Sequence, residues 1–296
     1  MRIVVTGAGG FVGSEVVRAL SGGHRVVPID ADLHGTPGLE GDFGDPALLR
    51  EAFAGGCDSV VHLASVPGGT TEREPELGKR VNLDGTMRLI QAAAEGGSCP
   101  RIVFASSIAA LGGDLPPLVD DTTPMAPRLL YGAHKVMIET WLDTLTRRGE
   151  VNGLSLRLPG IVARPRSPSG LTSAFMSDVF HALAHGEAIV VPVSPSATMW
   201  LCSLGQAARN LCHGLVSGAT GGLTLPALRV SMSDLVVAIA AATGRSAGLV
   251  SYAPDGDVEA AFGRYPELHT PTAEAVGFSH DGSLQNLVAA EISRIS

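Results

Sequence analysis

The sequence predicts an α/β protein built on a doubly wound parallel sheet, with a smaller C-terminal α/β lobe. Three observations carry this. Short β-branched runs alternate with helical patterns through the first 160 residues, the rhythm of right-handed βαβ units. A glycine-rich turn, TGAGGFVG at 6–13, follows the first apolar run directly. After about residue 160 the rhythm changes, with no low-complexity linker to separate a tethered domain.

Taken in order, the strands are expected at IVV (3–5), RVVPI (25–29), SVVHL (59–63), RIVFA (101–105) and LSLRL (154–158). Helical segments are expected near 11–20, 46–54, 76–95 and 130–148. Asp45 before Pro46 reads as an N-cap with proline at the first helical position. The second half opens with the loop PRSPSG (165–170), a helix around 172–185 and the strand-like AIVVPV (188–193). SMSDLVVAIAAATG (231–244) begins with a serine cap and ends at glycine. The division is therefore 1–160 for the sheet domain and 161–296 mainly for the second lobe, with room for the chain to cross back to the sheet.

Composition narrows the function. The 296 residues carry 37 glycines, 45% hydrophobic residues and a formal net charge of −8. That acidity, without a lysine or arginine block, argues against a nucleic-acid partner. No apolar run reaches the length of a membrane span. MRIVVTG begins as a strand without the regions of a signal peptide, so the cytoplasm is the expected location. Cys57, Cys99, Cys202 and Cys212 form no CxxC or Cys/His spacing, so no metal site is expected.

Gly7, Gly10 and Gly13, with Phe11 and Val12 between them, form a strand–turn–helix glycine loop. Such a turn lets a pyrophosphate approach the backbone at the positive end of a helix. Asp30 ends the second strand 20 residues after Gly10. Its carboxylate can accept from ribose hydroxyls and repel a 2′-phosphate, which favours NAD over NADP; otherwise it simply caps a turn. Asp42 and Phe43 could flank an adenine. HLAS (62–65), with Leu63 and Ala64, ends the next strand at the sheet edge where ligands bind.

LLYGAHK (129–135) sets Tyr131 and Lys135 four residues apart, on one face of a helix. Together TGAGGFVG, Asp30, HLA (62–64), VNLDGT (81–86), FASS (104–107), YGAHK (131–135) and LRLPG (156–160) resemble the extended short-chain dehydrogenase/reductase family. The resemblance follows the family's order and spacing over the first 160 residues. It implies a Rossmann-type NAD-binding domain and makes Tyr131 and Lys135 catalytic. RRGEVNGLSLRLPGIVARPRSP, GEAIVVPVSPSATMWLCS and PDGDVEAAFGRYPE resemble the D-erythronate dehydrogenase branch of that family. The resemblance to that branch implies oxidation of a small sugar acid at a secondary alcohol. After Arg164 the sequence departs from the branch, with Arg166 and Ser167 standing where a Gly-Lys pair is expected.

An ordinary phenol, with a pKa near ~10, is a poor base at neutral pH. A nearby ammonium and the cationic nicotinamide both favour the phenolate. The resemblance thus gives Tyr131 as general base and Lys135 as its tuner and ribose holder. Ser107 would stabilise the substrate oxygen, with Ser106 the adjacent alternative. Asn82 would organise water or backbone near Lys135, or cap its helix. Pro159 would contact the cofactor, or only terminate a strand. Arg164 and Arg166 could pair with a substrate carboxylate, or be solvated loop charges. Trp200 could wall the pocket from a loop, or belong to the core. Two other functions share this pattern: a nucleotide-sugar 4-epimerase with tightly bound NAD, and a non-catalytic NAD sensor. The resemblance, with the apolar residues Leu83, Met87, Ile90, Met137 and Trp141, also points to a homodimer through the helices 76–95 and 130–148; otherwise these side chains are buried within the monomer.

Overall fold

Seven strands form the main sheet of the computed structural model, which describes residues 1–96, 98–166 and 173–295. They are β1 (Arg2–Thr6), β2 (Arg25–Asp30), β3 (Leu39–Glu40), β4 (Ser59–His62), β5 (Arg101–Ser107), β6 (Asn152–Leu158) and β7 (Gly221–Thr224). Every pairing is parallel, and the order across the sheet is 3-2-1-4-5-6-7. This is the doubly wound Rossmann arrangement. The order reverses between β1 and β4, so a crevice opens beyond Thr6 and His62.

The central strands are apolar because both of their faces are covered. Val4, Ile29, Val60, Ile102 and Phe104 join one core with Leu89, Ile90, Ile138 and Leu142 from the helices. Asp45 caps the helix Pro46–Phe53 by accepting from the amides of Ala47 and Leu48.

The single helix expected over 76–95 is broken. An α-turn, Pro75–Lys79, runs into a π-helical turn, Arg80–Gly85, and then into the helix Thr86–Ala94. The wide turn adds a residue to the helical repeat, so Asn82 and Leu83, then Gly85 and Thr86, all face inward. Such π-turns mark functional segments.

Two compact units divide the chain. The first takes Met1–Gly112, Met125–Leu158 and Ala208–Thr224; the second takes Gly113–Pro124, Pro159–Ala207 and Leu225–Ser296. Residues 208–224 supply β7 to the main sheet, paired with β6.

The second unit has a small mixed sheet. Thr198–Cys202 pairs antiparallel with Leu228–Ser231 and parallel with Gly160–Ile161. Ile189–Val191 pairs with Val250–Tyr252. The helices Phe175–His185, Met232–Thr243 and Leu284–Ile295 close its core around Phe180, Leu183, Leu235, Ile239 and Leu287. Ser231 caps the second of these helices through the Asp234 amide. Among the described residues no helix is long and apolar enough to cross a membrane.

Candidate active site

The glycine loop is built for close backbone approach. Gly7 has φ +71°, and a Cβ there would stand 2.7 Å from the Ala64 nitrogen. A Cβ on Gly13 would stand 1.9 Å from the Gly7 carbonyl oxygen, so only glycine lets this helix start against the loop. Gly10 caps the helix Phe11–Leu20, whose first turn (Phe11, Val12, Gly13) holds no acidic residue to compete with a bound anion.

Asp30 sits at the carboxyl end of β2 and accepts the Gly9 amide at 2.9 Å and the Asp32 amide at 3.3 Å. These bonds fix its carboxylate beside the loop. Gly9 was not among the expected site residues, yet a side chain there would strike the Asp32 carbonyl at 2.0 Å. Asp42 accepts the Gly44 amide. The ring of Phe43 turns into the core, edge-on to His62 at 5.1 Å.

At the end of β4, Leu63 and Ala64 both donate to Thr6 Oγ1 at 3.3 Å. Thr6 is hydrogen-bonded to His62 Nδ1 at 2.6 Å, and His62 Nε2 to Thr86 Oγ1 at 2.8 Å. His62 is wholly buried and stacks on Phe104. Burial and then the Lys135 ammonium lower its pKa to about 3. It is therefore a neutral brace, joining the glycine-loop strand to the start of the helix Thr86–Ala94. HLAS and VNLDGT contain these residues, but their partnership is non-local.

The helix Leu130–Arg147 carries Tyr131 and Lys135. Lys135 is 4% exposed, and its Nζ donates to the Ala105 carbonyl at 2.8 Å. The ammonium lies 4.7 Å from the Phe104 ring centroid and 5.3 Å from that of Tyr131. Ala105 stands two residues before Ser107 on β5, so one lysine ties the Tyr131 helix to the Ser107 strand. Ser107 Oγ accepts the Ala109 amide at 3.1 Å, which leaves its own proton to donate outward. Ser106 faces the other way: it is buried and donates to Glu139. Of the two adjacent serines, only Ser106 is tied to Glu139.

Asn82 is buried, and both ends of its amide are used. Its Oδ1 accepts the Val66 amide at 2.8 Å, while Nδ2 donates to the Val66 carbonyl and to Thr71 Oγ1. It pins the backbone after Ala64 and caps no helix end.

In the second unit Pro159 follows β6 directly and Arg164 is half-buried, its carbonyl accepting from His181. One substrate-side expectation is corrected. Trp200 is not in a loop: it lies on the strand Thr198–Cys202, 1% exposed, donating to the Pro266 carbonyl and packed on Tyr265. Strand pairing draws it into the core. Arg166 pairs with Glu187 at 2.6 Å, with both side chains well exposed. Ser167 lies outside the described residues.

The comparisons agree with this architecture. The NAD dependent epimerase/dehydratase family matches residues 3–214. This chain belongs to that family. D-erythronate dehydrogenase from Cupriavidus necator is 34% identical, with 98% of this chain and 97% of that protein covered. The D-erythronate dehydrogenase of Haemophilus influenzae is 27% identical over 97% of this chain and 98% of its own length. Among solved structures, a nucleoside-diphosphate-sugar epimerase from Agrobacterium tumefaciens superposes with a TM-score of 0.89 at 27% identity, covering 99% of this chain and 94% of that one. The family member described here is an NAD-dependent oxidoreductase. The loop that a Cβ would obstruct, and the carboxylate fixed beside it, suit that cofactor.

Proposed function

We propose that the chain oxidises a secondary alcohol on a small, D-erythronate-like sugar acid or hydroxy acid, using Ser107, Tyr131 and Lys135. The observation that carries this is the lysine bridge: one buried ammonium, 5.3 Å from the Tyr131 ring, held on the carbonyl two residues before Ser107. The relationship to two D-erythronate dehydrogenases over nearly the whole chain supports the substrate class.

In this mechanism Ser107 donates its hydroxyl proton to the substrate oxygen, while its Oγ accepts the Ala109 amide. Tyr131, as the phenolate, takes the hydroxyl proton and becomes the phenol. Lys135 sets a positive charge beside that phenolate before the transfer and would hold the nicotinamide ribose. NAD, when bound, supplies the hydride acceptor. Gly7, Gly10, Phe11, Val12 and Gly13 would hold the pyrophosphate, Asp30 the adenosine ribose, and Leu63, Ala64 and Pro159 further parts of the cofactor, with Asp42 and the Phe43 backbone toward the adenine. Asn82 acts through the Val66 backbone that it clamps. Arg164 remains the candidate for the substrate carboxylate.

A panel of four- and five-carbon sugar acids with free NAD tests the reading. NADH should accumulate in step with substrate. An epimerase would instead interconvert a nucleotide sugar with no net NADH, the alternative suggested by the Agrobacterium tumefaciens structure. No turnover with any substrate, alongside tight NAD binding, would favour a sensor.

NAD preference should rest on Asp30. NADP is expected to be used at least about tenfold less efficiently, a difference of about 1.4 kcal/mol, and Asp30→Ala should narrow the gap. Equal efficiency in the unmodified protein would remove the assignment.

The same reading includes a cytoplasmic homodimer. Leu83 and Ile90 are buried in the first unit's core and cannot form its interface. Met137 and Trp141, 55% and 39% exposed on one helix, remain as its apolar anchors, and the half-buried Met87 stays in the set. Light scattering at micromolar concentration should give twice the 30.4 kDa chain mass; a single-chain mass would rule the dimer out.

A further inference from the structure

Lys135 and Glu139 are four residues apart on one helix and both are buried. At this spacing a lysine and a glutamate share one helix face, within reach of each other. Here the two part company. Lys135 turns to the Ala105 carbonyl. Glu139 turns to Arg157, which donates from Nε at 3.2 and 3.1 Å and from Nη2 at 2.7 Å, and it also accepts from Ser106. The Arg157 and Glu139 side chains are 12% and 4% exposed. Gly222 on β7 seals them in: a Cβ there would stand 2.7 Å from Glu139 Oε2 and 2.8 Å from Arg157 Nη2.

The geometry points to Arg157 as a positioning residue: by holding Glu139, it keeps that carboxylate from neutralising Lys135, so the ammonium's full charge acts on Tyr131. This rests on the Ser107–Tyr131–Lys135 reading. The other ionisable groups around the lysine do not replace Glu139 as a competitor. His62, from β4, is neutral. His134 is held toward its neutral form by burial. Glu72 accepts the Leu130 amide at 2.7 Å, and Asp84 pairs with Lys79 at 3.0 Å. Arg157 also explains why a buried carboxylate is tolerated one helical turn from the lysine. Its planar fork satisfies both carboxylate oxygens at once, which a point charge would not.

The test compares Arg157→Gln, Glu139→Gln, the double variant and Arg157→Lys. In Arg157→Gln, Glu139 should swing to Lys135. The pH of half-maximal alcohol oxidation should then rise by about one unit, with turnover near neutrality falling about tenfold and recovering at higher pH. NADH should bind several-fold more weakly. The double variant has no carboxylate to swing, so its pH profile should return close to wild type, and Glu139→Gln alone should leave the profile in place. Arg157→Lys, which keeps a charge opposite Glu139, should shift in the same direction by less; it carries the test if Arg157→Gln does not fold.

A second readout needs no turnover. The chain has only two lysines, Lys79 and Lys135, so a spectrum of ε-¹³C-lysine in the cofactor-free protein resolves both. The Lys135 resonance should move in Arg157→Gln or Arg157→Lys and return in the double variant. An unmoved resonance with an unmoved pH profile overturns the inference, as does a double variant no closer to wild type than Arg157→Gln. If Tyr131→Phe kept its activity, the catalytic reading would fail, while the lysine spectrum would still decide whether Arg157 holds Glu139 off.

Discussion

Tyr131→Phe is expected to lose turnover by about 10²-fold or more while still binding NADH. The loss corresponds to about 2.7 kcal/mol of transition-state stabilisation. The substitution removes only the hydroxyl. The ring keeps its place near Gly68, where an added Cβ would lie 3.6 Å from the Tyr131 Cβ, and it stays beside Lys135. Thermal stability should therefore be close to wild type, and the defect should lie in kcat rather than in cofactor affinity. The rise of oxidation rate with pH expected of the wild type should be absent from the variant. Retention of most activity on a confirmed substrate would show that another group takes the proton.

Lys135→Met separates catalysis from stability. Turnover should fall by about 10²-fold or more, because the charge beside Tyr131 is lost, and NADH binding should weaken with the ribose contact. The fold should hardly notice. Burying an ammonium is costly, and Met has a similar length with no charge to desolvate. Against that gain, the Ala105 carbonyl loses its donor, at a cost of about 1–3 kcal/mol. The two effects oppose each other, so the melting temperature should stay within a few degrees of wild type. A collapse of stability with turnover intact would make Lys135 a structural residue and nothing more.

What could be read from the chain is what the chain determines locally. A glycine turn between a strand and a helix, Asp30 at a strand end, and a tyrosine and lysine one helical turn apart are all set within a few residues. Strand–turn–helix geometry and the helical repeat then place them without reference to the rest of the fold. The Asp45 and Ser231 caps were legible for the same reason.

The other assignments depended on partners far along the sequence. Trp200 became a core residue because Thr198–Cys202 pairs with Leu228–Ser231, across a separation that no local pattern reports. Arg166 met Glu187, 21 residues on. Ser106 met Glu139, 33 residues on, because one face of β5 is turned toward the buried pair. Leu83 and Ile90 left the proposed dimer surface for the core once the π-turn set their faces.

By itself, then, the sequence determined the alternation of strands and helices, the cofactor loop and the Tyr131–Lys135 spacing, since backbone geometry fixes each within a few neighbouring residues. Only the tertiary structure decided where the Lys135 charge goes. Residues 105, 139 and 157 come from three elements, and in a buried setting each ionised group must find its partner in space rather than along the chain.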